Sequence, residues 1–233
     1  MQMRPRLAVL FTAFLAAVFL VAGCSSDSKS SEPLPDAATL LKDSNEVTAA
    51  AESVHLELTT SGEIQELPVA SLSGDLTNTP AVAAKGKADI VFLGQKVDDV
   101  EFVVIDGTLF GALTPGSWTD FGPAVDIYDV AAILNPQTGL ANVLANFSDP
   151  KADGREKLNG VDTVKVTGSV SADAVNKIAP QIAATGPVPG TAWISDDGKN
   201  TLVQAKLDVA SDKNVQMAMS KWGEPVTVAK PAA

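Results

Sequence analysis

Residues 82–113 read VAAKGKADIVFLGQKVDDVEFVVIDGTLFGAL, from Val82 to Leu113. Ala88, Ile90 and Phe92 fall on one side of an extended chain, because side chains alternate across a strand. Gly94-Gln95 turns that strand into a second one, Val97 to Ile105, with Phe102 and Val104 on its apolar side. Asp106-Gly107 is the dipeptide of a tight hairpin, and Thr108 to Leu113 is the return strand. Three successive strands joined by short turns predict an antiparallel sheet with one covered face.

The same alternation extends in both directions. Upstream, Leu56, Leu58 and Thr60 alternate with His55, Glu57 and Thr59, and Val69 to Thr77 reads as a further short strand. Downstream, Asn159-Gly160 marks a turn after strands resume past Gly154. Val164, Val166, Gly168 and Val170 then alternate with Lys165, Thr167 and Ser169. Further strands are predicted near Thr191–Ser195, Thr201–Val209, Asn214–Trp222 and Pro225–Ala229, with Gly186 to Gly190 as a loop and Asp197-Gly198 as a hairpin turn.

Three regions carry the period of a helix instead. Pro35-Asp36 opens a stretch to about Glu52, with Leu40, Leu41, Val47, Ala50, Ala51 and Val54 at helical spacing. Asp126 to Leu134 carries Ile127, Val130, Ala131, Ile133 and Leu134. Asn135-Pro136 then ends one helix and starts another, in which Leu140, Val143, Leu144 and Phe147 form an apolar face. Ser171 to Ala179 is a short helix capped by Ser171 and stopped by Pro180. About ten strands and four helices, with no repeat, make an α+β fold: a curved antiparallel sheet with helices packed into its concavity.

The N-terminus reads as an address. Met1 to Arg6 carries two arginines, Leu7 to Leu20 is apolar apart from Thr12, and Val21-Ala22-Gly23-Cys24 matches a bacterial lipobox. The expectation is a lipoprotein signal peptide over 1–23, acylation of Cys24, a flexible polar tether over 24–33, and a single domain over 34–233. The mature chain would then hold 15 basic and 28 acidic residues, a net of −13. Such a surface does not adhere to nucleic acid or anionic lipid by charge, so attachment to the outer face of the cell membrane needs the acyl chains. Cys24 is the single cysteine, which excludes an internal disulfide.

Catalytic chemistry is missing from the pattern. His55 is the single histidine and sits opposite Leu56 and Leu58, as a surface residue would. Zinc sites of Cys/His type and Cys–His nucleophilic pairs are therefore excluded. No phosphate loop, dinucleotide fingerprint or nucleophile elbow occurs, so neither an enzyme nor a bound cofactor is expected. Asp149, Asp153 and Gly154 echo a calcium loop, but Lys151 and Gly160 occupy ligand positions, so no metal site is expected. The acidic pairs Asp98-Asp99 and Asp196-Asp197 read as a solvated face. Trp118, Trp193 and Trp222 are dispersed, without basic residues around them. Met217 and Met219 share a strand face and either fill a core or line an adaptable cavity.

Several runs resemble a known family. They are Leu72-Ser73-Gly74-Asp75-Leu76-Thr77, Phe102-Val103-Val104-Ile105-Asp106-Gly107, and Asp120-Phe121-Gly122-Pro123-Ala124-Val125-Asp126-Ile127-Tyr128-Asp129. Leu134 to Phe147, Val215-Gln216-Met217 and Ser220-Lys221-Trp222-Gly223-Glu224 continue the similarity in order. Together with the lipobox they resemble the mycobacterial LppX/LprA/LprF/LprG lipoproteins, and within them the lipoarabinomannan-carrier branch. The resemblance implies a half-barrel sheet over helices that encloses a large apolar cavity. It implies cargo with several acyl chains: phosphatidylinositol mannosides, lipomannan, lipoarabinomannan and triacylglycerol. It also implies a major facilitator transporter of the inner membrane as a partner, and recognition by host Toll-like receptor 2. The expected cavity walls are Leu56, Leu58, Ala88, Ile90, Phe92, Phe102, Val104, Ile133, Leu140, Val143, Leu144, Val164, Val166, Met217 and Met219. Enclosing several tails calls for a pocket at or above roughly 1,000 Å³. The competing reading is a structural or adhesive envelope lipoprotein with a filled core.

Overall fold

A computed structural model describes residues 32–62, 64, 67, 69–92 and 94–232, apart from the side chain of Phe92. Cys24, the signal peptide and most of the tether lie outside the described residues. The elements are α1 (Ala37–Ala49), β1 (Ser53–Ser61), β2 (Val69–Thr77), β3 (Ala83–Phe92), β4 (Gln95–Ile105), β5 (Thr108–Thr114) and β6 (Ser117–Pro123). After them come α2 (Leu140–Ala145), β7 (Phe147–Leu158), β8 (Val161–Val170), α3 (Ala172–Ile178), β9 (Val188–Ser195), β10 (Leu202–Ala210) and β11 (Lys213–Ser220). Between β6 and α2 the chain forms two 3₁₀ segments, Ala124–Asp126 and Val130–Leu134, and a third follows α3 at Pro180–Ile182.

All eleven strands join one curved antiparallel sheet in the order β6-β5-β4-β3-β2-β1-β11-β10-β9-β8-β7. Two antiparallel meanders, β1–β6 and β7–β11, the second interrupted by α3 between β8 and β9, meet where β1 pairs with β11 in the register Leu56 to Met219 and Leu58 to Met217. The turns follow the expected chemistry. Asp106-Gly107 has φ of 51° and 73°, and Asn159-Gly160 has 50° and 85°, the left-handed pairs that suit right-twisted strands.

One inner face carries the core: Leu56, Leu58, Leu72, Leu76, Val104, Val164, Val166, Met217 and Met219 are buried there. Its cover is uneven. α1 packs on α2 and reaches β7 and β9, and α3 packs on α2. The second 3₁₀ segment lies against β2 and β3. Thus two of the α-helices sit together near the β7–β9 side, while 3₁₀ turns cover the β2–β3 side.

Glycines on the inner face give the aromatic rings their seats. Gly74 and Gly86 pair across β2 and β3. A Cβ on Gly74 would lie 3.1 Å from the Phe102 ring, and one on Gly86 would lie 3.0 Å from it. Gly168 and Gly190 pair across β8 and β9 in the same way, and there the ring is Phe147, at 3.0 Å from either added Cβ. A ring laid over paired glycines recovers the packing that the missing side chains forgo and lets the sheet bend.

Several local expectations need correction. Asp126–Leu134 is not an α-helix. The Asp129 carboxylate accepts from Ala131 N at 3.1 Å, Val130 N donates to Tyr128 O at 3.2 Å, and Gln181 Nε2 holds Ile127 O at 2.9 Å, so local and tertiary bonds replace the helical ladder. Pro136 does not begin the next helix; Gly139 is its N-cap, lying so close to Ile133 O that a side chain would collide. Phe147 starts β7 instead of completing the α2 face. That strand begins before Gly154, β9 begins at Val188 within the expected loop, and β6 follows the Pro115-Gly116 turn where no strand was expected. On α1 the buried stripe is Ala37, Leu40, Leu41, Ser44 and Thr48, while Val47 is exposed.

Pro225–Ala229 is an extended strap, not a strand. Ser53 Oγ donates to Glu224 O at 2.6 Å, Lys85 Nζ to Thr227 O at 2.8 Å, and the Lys230 ammonium stands 5.2 Å from the Phe110 ring centroid. The anchors advance from β1 to β3 to β5, two strands per three residues. Three extended residues span about 10 Å, matching two interstrand spacings of about 4.8 Å. The strap therefore crosses the outer face across the strands, which is why it joins no ladder. Under it, His55 Nδ1 and Asp75 form a half-buried pair at 2.7 Å.

Gly86→Ala should cost about 1–3 kcal/mol, because the new Cβ meets the Ser73 carbonyl and the Phe102 ring and the backbone cannot yield cheaply. Urea unfolding followed by tryptophan fluorescence measures it; a stability within experimental error of the parent would show that the ring seat is not tight.

Candidate functional site: an apolar cavity under the 3₁₀ cover

Between β2–β6 and the segment 127–130 lies an apolar cavity of about 130 Å³. β2 supplies Val69 and Leu72, β3 supplies Ala88, Ile90 and Val91, and β4 supplies Val100 and Phe102. Leu109, Gly111 and Leu113 come from β5 and Phe121 from β6. The cover closes it with Ile127, Tyr128 and Val130. Three of these residues also reach the surface: Val91 is 48 % exposed, Leu113 40 % and Ile127 37 %. They mark the mouth, at the end of β3 and β5 nearest Gly94 and Gly116.

Strand irregularities shape the wall. Pairing slips between Ala88–Val100 and Ile90–Val97, leaving one extra residue on β4. Asp99 takes a φ of 55° there, and its N–H donates to the Asp89 carboxylate at 3.0 Å. This bond holds the Asp89 carboxyl below its ordinary range. Such a bulge bends the strand, and Ile90 and Val91 both border the cavity beside it.

Of the residues expected as walls, Ala88, Ile90 and Phe102 border this cavity. Leu56, Leu58, Val104, Ile133, Leu140, Val143, Leu144, Val164, Val166, Met217 and Met219 are buried in the contiguous core around it. The Phe92 side chain lies outside the described part. Leu109 and Gly111 were readable in principle: the Asp106-Gly107 hairpin sets Leu109 beside Val104 and Gly111 beside Phe102, so they share the inner face. Tyr128 and Ile127 were not, since their approach depends on a 3₁₀ cover that the helical period conceals. The cavity is far smaller than the size expected for several tails. Phe102, Phe121 and Tyr128 put three rings against a short stretch of wall.

Polar chemistry around the site is sparse. Tyr128 is the one lining residue with a polar side-chain atom, and it is 9 % exposed. Burial first, and the Asp129 charge second, push its phenol above the ordinary value of 10.0. No cluster of three or more His, Cys, Asp or Glu placed to hold a metal occurs among the described residues. Asp153 instead accepts from Thr167 Oγ1 at 2.8 Å. No described helix is long and apolar enough to cross a membrane.

A one-faced sheet and an apolar cavity with an apolar mouth suit a lipid-binding class of protein, and comparison with known sequences agrees. Residues 36–228 match the LppX_LprAFG lipoprotein family model, and the chain belongs to that family. It is accordingly a lipid-binding transport lipoprotein of the cell envelope and not an enzyme. Among individual proteins it is 58 % identical to the lipoarabinomannan carrier protein LprG of Mycolicibacterium smegmatis over 100 % of both chains. It is 53 % identical to the protein of the same name from Mycobacterium tuberculosis, over 97 % of this chain and 95 % of that one. The crystal structure of LprF from Mycobacterium bovis superposes with a TM-score of 0.78 at 33 % identity, covering 86 % of this chain and 99 % of that one. That of LppX from Mycobacterium tuberculosis gives 0.66 at 27 % identity, covering 82 % and 97 %.

Tyr128 is the single tyrosine of the chain, which makes its ionisation directly observable. Its raised folded pKa adds stability that is fully present below pH 10.0, the unfolded value, and is lost as pH rises from there through the folded value. The phenolate absorbance band should therefore appear late and together with unfolding. Phenolate formation near pH 10 in a chain that is still folded would show the hydroxyl to be in water.

Proposed function

We propose that this chain carries triacylated glycolipids (phosphatidylinositol mannosides, lipomannan and lipoarabinomannan) and triacylglycerol from the inner membrane toward the cell surface. The observation that carries the reading is the mouthed apolar cavity in a chain so similar to proteins named as lipoarabinomannan carriers. Each CH₂ left in water costs about 0.8 kcal/mol, so a lipid with several tails travels only if the tails are enclosed. The sugar headgroup stays outside the mouth, and release needs an opening and a hydrophobic acceptor but no chemistry.

In this reading tails insert between β2–β5 and the cover, with Ala88, Ile90 and Phe102 as the first walls. Larger cargo displaces the 124–134 cover and reaches the inner-face residues deeper in the core, Leu58, Val104 and Ile133 among them. Residues 1–23 are the signal peptide, acylated Cys24 holds the chain to the outer face of the cell membrane, and 24–33 tether the domain of 34–233. No described helix is long and apolar enough to cross a membrane, and the net charge of −13 left after residues 1–23 are removed gives no attraction to an anionic bilayer surface, so the acyl anchor sets where cargo is collected. A major facilitator transporter works alongside it, and the acylated N-terminus is what host Toll-like receptor 2 recognises. A structural envelope lipoprotein is the second reading, and the small volume of about 130 Å³ favours it.

The two readings separate on one experiment. Full-length Cys24→Ala chain from a mycobacterial host should show bound multi-acyl lipid by native mass spectrometry. Ala88→Trp, which fills the cavity, should keep the circular dichroism of the parent and lose the lipid. A parent chain free of lipid would sink the carrier proposal. Unfolding of the tryptophan variant would point to a filled core, where overpacking costs about 1–3 kcal/mol.

A further inference from the structure

Tyr128 is anomalous for an apolar cavity. Fourteen residues line it, and thirteen of them offer carbon alone from their side chains or are glycine. A buried phenol normally finds a hydrogen-bond partner, yet the Tyr128 hydroxyl bonds to no described residue; the residue is buried to nine-tenths, and the oxygen, which is not among the fully buried atoms left without a partner, opens onto the cavity that Tyr128 lines. A purely hydrocarbon-binding wall would be served as well by phenylalanine, which brings no donor to the cavity.

Its position is defined by its neighbours. Ile127, one residue earlier, is at the rim and 37 % exposed, whereas Val130, two residues later, is 2 % exposed. Gln181 Nε2 holds the Ile127 carbonyl at 2.9 Å and Asp129 caps Ala131 N at 3.1 Å, so bonds place the backbone on both sides of Tyr128 until larger cargo lifts the cover. Tyr128 thus stands one step inside the mouth. In a lipid whose tails are inside and whose headgroup is outside, that depth is where tail meets head. The groups found there in an acylglycerol are ester carbonyls, which accept hydrogen bonds and cannot donate them.

Building on the carrier reading, we infer that the Tyr128 hydroxyl donates a hydrogen bond to an ester carbonyl of the cargo, making this residue a selector for esterified lipids over ether-linked lipids or plain hydrocarbon. The phenol stays protonated at every physiological pH because burial opposes its ionisation, so the donor is always present. Recognition by one buried donor suits a carrier of varied headgroups, since the ester linkage is common to all acylglycerols while the sugars differ.

The test uses the full chain and Tyr128→Phe, with uptake from phosphatidylcholine vesicles of trioleoylglycerol or of its tri-O-oleyl ether analogue. The parent should favour the ester over the ether by about fivefold, the range of one net hydrogen bond, and Tyr128→Phe should erase that preference while still taking up the ether. Isotopically labelled ester carbonyls should show a lowered infrared stretch in the parent complex and an unshifted one in the variant. Equal loss of both lipids in the variant, or an unchanged preference, overturns the selector role and leaves the carrier reading standing. Failure of the parent to take up either lipid overturns both.

Discussion

The pairing of β1 with β11 is the constraint on which the rest of the architecture depends. It joins the two meanders into one sheet and so drives β6 and β7 to opposite edges. These strands are sequence neighbours apart from 124–146, so that segment must cross the concave side from one edge to the other. Ten interstrand intervals of about 4.8 Å would put the edges roughly 48 Å apart in a flat sheet. A segment that spends part of its length in 3₁₀ and α turns, at about 2.0 and 1.5 Å per residue, has little slack over that distance. Curvature shortens the crossing, and the crossing in turn becomes the cover of the core.

Curvature has local causes that can be named. Phe102 over Gly74 and Gly86, and Phe147 over Gly168 and Gly190, place a ring on paired glycines in each meander. Bulges near Asp99 on the β3–β4 pair and around Ser148–Gly154 on β7 add bends. From outside, the strap of Glu224 to Lys230 runs across β1 to β5 and ends on Phe110, whose neighbours Leu109 and Gly111 face the cavity. The cavity wall is therefore held on both faces: by side chains within and by a crossing segment without.

How much of this was legible depended on whether a residue's environment was set locally. Strand pairs closed by Asp106-Gly107 and Asn159-Gly160 were readable because two-residue turns fix register by themselves. The end of β2 was readable because Asn78-Thr79-Pro80 stops it. Ser171 was readable as a cap because capping is a three-residue matter. The stretch 126–134 was not. Its apolar period fits an α-helix, and the bonds that decide otherwise come from Gln181, far along the chain, and from the Asp129 side chain. The strap was misread as a strand because Val226 and Val228 alternate with Thr227 as strand residues do; only their partners on the outer face tell the difference. The cavity depends on both of these non-local features, and so only Ala88, Ile90 and Phe102 of its border were named from sequence alone.

The uneven cover also bears on how a closed cavity could admit a long lipid. On the β7–β9 side, α1 and α2 bury leucines and valines against one another and the sheet, so separation there re-exposes a large apolar area. Over β2 to β6 the cover is two short 3₁₀ segments, the first against β6 and the second against β2 and β3. Among the described residues their hydrogen bonds to other elements are few: Ala124 N to Gly107 O at 2.9 Å, Asn78 Nδ2 to Leu134 O at 3.1 Å, and Gln181 Nε2 to Ile127 O at 2.9 Å. Each such bond contributes about 1 kcal/mol net. A single acyl chain of a dozen or more methylenes gains several times that sum on burial, at about 0.8 kcal/mol for each CH₂. Lifting this side also uncovers Val130, Ala131, Ile133 and Leu134, which are buried in the core, so in the carrier reading the tails must take their place against the inner face as the cover moves, while the helical side serves as the wall. A sheet that is rigid on one half and thinly roofed on the other needs no separate hinge to open.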